Sequence, residues 1–132
     1  MASKPRLSGG PILLIEDNPD IRDTLSEFLS MEGHSVFAAA DGTQALRMLG
    51  TRTIPRPCLI LLDWVMQPMS GQRFLDEIQH RPDADQLRVL VVTGETNVDP
   101  GSSVAILGVL QKPFDLDTLL ALLGKHCDGS AP

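Results

Sequence analysis

The chain has 132 residues, 42% of them apolar and 21% charged, which suits one domain around a single core. No apolar run approaches the ~20 residues of a membrane span, and the opening MASKPRLSGG has no apolar stretch behind its positive charges to make a secretory signal. A net charge of −6 argues against direct binding to nucleic acid or to an anionic membrane surface.

Residues 1–10 read as a short flexible tail and 127–132 as another, bracketing one folded unit over 11–126. The first apolar run, PILLIED (Pro11–Asp17), is near-continuous, the pattern of a strand buried on both faces of a parallel sheet. Asn18 then offers a helix cap, and Pro19 suits the first helical position, where its missing N–H costs nothing. Ile21, Leu25, Phe28 and Leu29 share one face of that helix, and Gly33 ends it. SVFAAA (Ser35–Ala40) is a second strand. Asp41 caps the following helix, whose apolar face is Ala45, Leu46 and Leu49 and whose stop is Gly50.

CLILLD (Cys58–Asp63) is a third strand, again continuous, and SGQRFLDEIQHR (Ser70–Arg81) a helix presenting Phe74, Leu75 and Ile78 and closed by Pro82. RVLVVT (Arg88–Thr93) is the fourth strand. The next segment, GETNVDPGSSV (Gly94–Val104), carries Pro100, Gly101 and two serines, so at most a turn or two of helix is expected there. AILGVLQ (Ala105–Gln111) is the fifth strand, and Asp115 caps a last helix that turns Leu116, Leu119, Leu120 and Leu123 to the core. The alternation is (βα)5. With right-handed crossovers it gives an α/β, doubly wound, flavodoxin-like parallel sheet of five strands in the order 2-1-3-4-5, with the fourth helix short or irregular. Cys58 and Cys127 lack metal-ligand spacing; they read as packing residues of a chain that stays in a reducing cytoplasm.

In such a sheet, sites form at the C-terminal edge, near the point where the strand order reverses. The first strand ends in Glu16 and Asp17, the third in Asp63, the fourth in Thr93 and the fifth in Lys112. Strands one and three are neighbours, so three carboxylates meet. At about 5 Å spacing they repel by roughly 3 kcal/mol per pair at an effective dielectric near 20. Protonation or a divalent cation relieves this, and an all-oxygen ligand set with open positions suits Mg²⁺. The ammonium of Lys112 and the hydroxyl of Thr93 complete a pocket for a group with several anionic oxygens. The simplest such group is a phosphoryl carried by Asp63 itself, since carboxylates act as nucleophiles to give aspartyl phosphates.

These residues resemble the motifs of a response-regulator receiver domain of two-component signalling: IEDN with Glu16 and Asp17, LLDWVM with Asp63, VVTG with Thr93 and QKPF with Lys112, over about Pro11 to Lys125. The resemblance implies Asp63 as phosphoacceptor and Mg²⁺ held by Glu16, Asp17, Asp63 and the backbone carbonyl of Val65. It implies Lys112 on the phosphoryl oxygens and Thr93 as the switch hydroxyl. Three positions depart from the family pattern. Gln67 stands where proline is usual, with Pro68 one residue later; Val109 replaces the aromatic that rotates with the threonine; and the fourth helix segment is rich in breakers. Trp64 either covers part of the pocket or shields the loop that follows Asp63.

The resulting reading is a stand-alone phosphoryl-accepting switch in the cytoplasm, not an enzyme beyond catalysing its own phosphorylation and dephosphorylation. Its donor would be a histidine kinase or a histidine phosphotransfer protein in a phosphorelay. Output would pass to a downstream protein by contact, or onward as a phosphoryl group. The alternative is a degenerate receiver that binds a partner without phosphorylation. A receiver module cut from a larger kinase is a further reading. A Mg²⁺-dependent phosphatase with an Asp-x-Asp motif is disfavoured, because Val65 supplies no second acid.

Overall fold

The computed structural model describes residues 10–51, 54–55, 58–95, 98–101 and 104–127, with backbone only for Cys58 and 124–127. The two expected tails therefore lie almost wholly outside the described residues, as do both cysteine side chains. Five parallel strands, β1 (Ile12–Ile15), β2 (Val36–Ala39), β3 (Cys58–Asp63), β4 (Leu87–Thr93) and β5 (Ala105–Gln111), lie in the order β2-β1-β3-β4-β5. Helices α1 (Pro19–Met31), α2 (Gly42–Gly50), α3 (Gly71–Ile78) and α4 (Leu116–Cys127) cover them, with one 3₁₀ turn at Ala84–Gln86.

Strand alternation sorts the core into two layers. Leu13, Ile15, Ile60, Leu62, Val89 and Val91 face α2 and α3, packing with Leu49, Phe74 and Ile78. Ile12, Leu14, Leu59, Leu61, Leu90 and Val92 face α1 and α4, packing with Leu29, Leu119 and Leu123. Both faces of the central strands are thus buried, which is why their sequences run apolar without alternation.

The helix starts follow the cap chemistry expected of them. The Asn18 side chain accepts from the N–H groups of Asp20 and Ile21, with Pro19 at the first helical position. Asp41 accepts from Gln44 and Asp115 from Thr118, and Ser70, for which no cap was expected, accepts from Arg73. Gly33, at φ 100°, takes the left-handed turn after α1. Two helix ends differ from expectation. Gly50 is the last residue of α2 rather than a left-handed stop, because Thr51 follows in a right-handed conformation and its hydroxyl donates to the Met48 carbonyl at 3.1 Å. The helix expected to reach Arg81 ends at Ile78, because the chain tightens into three-residue turns, with His80 N–H on the Glu77 carbonyl and Arg81 N–H on that of Ile78.

The first apolar positions of two stripes are also less buried than expected. Ile21 is 40% and Leu116 36% exposed, and both border a shallow cleft with Phe114 instead of entering the core. Between β4 and β5 no helix forms among the described residues, in keeping with the breakers there. Among the described residues β5 pairs only with β4, and a bulge between Val89 and Leu90 shifts its register, so that Val109 faces solvent.

Candidate functional site

The register of the sheet builds the site. Leu59 and Leu61 of β3 point toward α1 and α4, so Asp63, two residues on, points the same way. Ile12 and Leu14 of β1 do likewise and carry Glu16 to that side. Lys112 follows the last residue of β5, and its N–H donates to the Thr93 carbonyl at 2.7 Å. The carboxylates of Glu16, Asp17 and Asp63 offer oxygens that all lie within 4.8 Å of one another. The Lys112 Nζ stands 3.5 Å from Asp63 Oδ1 and 3.6 Å from Glu16 Oε1.

Burial makes this arrangement electrostatically tense. Glu16 and Asp63 are only 4% and 5% exposed, above a wall of Leu14, Leu61, Val92, Phe114 and Leu119. Desolvation pushes both carboxyls above their ordinary range. For Glu16 the backbone N–H of Asn18 and the Lys112 ammonium counter this, while the charge of Asp63 adds to it. For Asp63 the Lys112 ammonium, a bond with Glu16 and the Val65 N–H pull back down, and Asp17 pushes up. Three carboxylates against one ammonium leave two negative charges. That surplus, an all-oxygen donor set and the exposed side of Asp17 fit a hydrated divalent cation of the Mg²⁺ type.

The loop after Asp63 is fixed by close packing. The Trp64 N–H donates to the Val92 carbonyl and the Trp64 carbonyl accepts from Gly71, both at 2.9 Å. A β-carbon on Gly71 would stand 2.7 Å from Trp64 Cα and 3.0 Å from the Asp63 carbonyl oxygen, so only glycine fits there. Trp64 itself packs against the α2–α3 core.

Four expected site residues, Glu16, Asp17, Asp63 and Lys112, are therefore brought together. Thr93 is buried at the neighbouring strand end, but its hydroxyl oxygen accepts from the Glu95 N–H at 3.0 Å and, among the described residues, has no bond to a carboxylate. The Val65 N–H donates to the Asp63 carboxylate. Two contacts have no counterpart in the sequence reading. The Asn18 N–H donates to Glu16 Oε2 at 3.2 Å, and Arg22 Nη1 donates to the Glu16 backbone carbonyl at 3.0 Å. The spacing of Arg22 from Glu16 matches no capping pattern, so nothing in the sequence marks it.

The chain matches the model of the response regulator receiver domain over residues 12–124. It is 33% identical over 118 residues to sporulation initiation phosphotransferase F of Bacillus subtilis, covering 87% of this chain and 91% of that protein. It is 37% identical over 117 residues to the Regulator of RpoS of Escherichia coli K12, covering 86% of this chain but only 33% of that longer protein. Among solved structures it is similar to the chemotaxis response regulator CheY4 of Vibrio cholerae, with TM-score 0.78 and 29% identity over 89% of this chain and 98% of that one. It is also similar to the response regulator TrrA of Thermotoga maritima in complex with Mg²⁺–BeF, with TM-score 0.73 and 27% identity over 88% and 97% of the two chains. By the match over residues 12–124, the order of its strands and the acids gathered at their ends, this chain belongs to the response regulator receiver domain family.

Proposed function

We propose that this receiver accepts a phosphoryl group on Asp63 with the help of Mg²⁺, and that it works as a stand-alone switch in the cytoplasm. The observation that carries the reading is the Lys112 ammonium set between Asp63 and Glu16, with Asp17 completing the triad. The name of the Bacillus relative, a phosphotransferase, and the Mg²⁺–BeF bound to the Thermotoga receiver support the same chemistry. No described helix is long and apolar enough to cross a membrane.

Glu16, Asp17, Asp63 and the Val65 carbonyl would hold the cation, which when bound supplies charge neutralisation for the transferring group. A carboxylate oxygen of Asp63 attacks phosphorus while the P–N bond of a donor phosphohistidine breaks and its electron pair returns to the imidazole. Lys112 neutralises a phosphoryl oxygen. Thr93 accepts from the Glu95 N–H through its hydroxyl oxygen and keeps its own O–H to donate to another. The donor would be a histidine kinase or histidine phosphotransfer protein, and the output a downstream protein contact or onward transfer to a second histidine.

Incubation with acetyl phosphate, with and without Mg²⁺, tests this by intact mass. The expected result is one phosphoryl group gained only with Mg²⁺, and none in Asp63→Asn. An unmodified wild-type chain that still captures its partner would instead establish a phosphorylation-independent binding module.

A further inference from the structure

We infer that Arg22 is a positioning residue for the cation site: its guanidinium holds the peptide that joins Glu16 to Asp17 in the orientation from which both carboxylates meet Asp63. The inference rests on the phosphoryl-accepting reading above.

The β1 ladder stops at Ile15, which is in register with Ala39 and Leu62. Beyond it the Glu16 N–H still donates to the Ala39 carbonyl at 3.2 Å, but the Glu16 carbonyl receives Arg22 Nη1 at 3.0 Å. Arg22 sits in the first turns of α1, its own N–H on the Asn18 carbonyl at 2.9 Å. The guanidinium thus reaches back from a rigid helix to the peptide plane on which Asp17 depends. Glu16 has other restraints, in the Asn18 N–H and in Lys112. Asp17 has none: among the described residues its exposed carboxylate makes no hydrogen bond or ion pair. Its position follows from its backbone, where the charge-assisted bond from Arg22 holds the carbonyl of the Glu16–Asp17 peptide and the Ala39 carbonyl holds the Glu16 N–H.

A positioning role and a purely electrostatic one predict opposite signs. A guanidinium beside a cation site repels the cation, so on charge alone its removal tightens Mg²⁺ binding. If Arg22 acts by orienting the acid loop, its removal weakens binding in spite of the lost positive charge.

The test is a MgCl₂ titration of wild type, Arg22→Leu and Arg22→Lys. Binding is read from the fluorescence of Trp64, the single tryptophan of the chain, and independently from the rise of the unfolding midpoint with MgCl₂. Arg22→Leu is expected to raise the dissociation constant about tenfold or more, the usual effect of losing a group that orients a metal ligand. Arg22→Lys, which keeps one charged donor, is expected to recover part of it. An unchanged or lowered dissociation constant in Arg22→Leu overturns the inference, and so does an equal loss in both variants. Should Arg22→Leu fail to fold in EDTA, Arg22→Gln takes its place with the same expected sign. A wild-type chain with no saturable response to Mg²⁺ is a different failure, that of the phosphoryl-accepting reading itself.

Discussion

The two sides of the sheet edge are built in contrasting ways. On the β1–β3 side every strand residue with a described side chain is buried, Glu16 and Asp63 take contacts from Asn18, Val65 and Lys112, and Arg22 bonds the Glu16 carbonyl. On the β4–β5 side the last strand has a single neighbour, a bulge and an exposed Val109, and no helix forms among the described residues of the connection. Thr93 lies at the seam, buried as a side chain yet tied by its hydroxyl to Glu95 at the start of that connection. In-line transfer demands fixed geometry, whereas a readout demands an element of low local stability. The acids thus sit on the closely packed side of the edge, while Lys112 and Thr93 come from the less covered one.

The sharpest way to break this comparison is Asp63→Asn. Phosphorylation should vanish, while the metal-free chain should become more stable, on the order of 1–2 kcal/mol, because repulsion and burial of a charge outweigh the lost attraction of Lys112. Intact mass reads the first effect and a urea midpoint the second. A destabilised variant would mean that the acid edge is not under electrostatic tension.

The same tension sets a pH dependence. Glu16 and Asp63 titrate above their ordinary values of 4.5 and 3.8, chiefly through burial. Over that interval the folded chain binds more protons than the unfolded one. Their contribution to stability is therefore full below the ordinary values and is lost as pH rises through the raised ones. Mg²⁺ should offset the loss at neutral pH, by about 2.7 kcal/mol at a hundred times its dissociation constant. Unfolding midpoints across pH in EDTA and in MgCl₂ check both signs, and the gain from Mg²⁺ should shrink in Asp63→Asn.

Glycine separates the site from its surroundings. Gly71→Ala would press a β-carbon onto the backbone of Trp64, which cannot yield as a side-chain tip can, and should cost about 1–3 kcal/mol while slowing phosphorylation. Gly50→Ala meets nothing within 4 Å in the last turn of α2 and should stabilise the chain by about 0.5–1 kcal/mol with no change in labelling. Denaturant midpoints and labelling rates on the pair would show whether the loop after Asp63 is tuned for position.

Much of this was legible in the sequence because the signals were local. Runs such as CLILLD mark doubly covered strands, and Asn18, Asp41 and Asp115 each bond a backbone N–H within three residues. The strand order then followed from crossover geometry, and with it the meeting of Glu16, Asp17, Asp63 and Lys112. What escaped depended on rotamers and on the third dimension. Ile21 and Leu116 fit their stripes yet border a cleft, since a helical period states which face a residue is on but not how far the partner layer extends. The bond of Thr93 to Glu95 and that of Arg22 to Glu16 are choices of side-chain direction that no periodicity encodes.

The smallest expected effect probes the open side most directly. Val91 and Val109 are the same residue, paired in register on adjacent strands, yet Val91 is wholly buried and Val109 41% exposed. Val91→Ala removes buried methyl groups and should cost about 2 kcal/mol. Val109→Ser should move stability by no more than about 0.5 kcal/mol and leave the rate of phosphorylation unchanged. If the exposed face of β5 carries the output, that nearly silent substitution should still weaken capture of the downstream partner by the phosphorylated chain, as a pull-down of both states would reveal. If capture is untouched while Gln111→Leu, which frees the Glu95 carbonyl from its 3.2 Å bond, reduces it, the signal runs through the connection after Thr93 rather than across the strand.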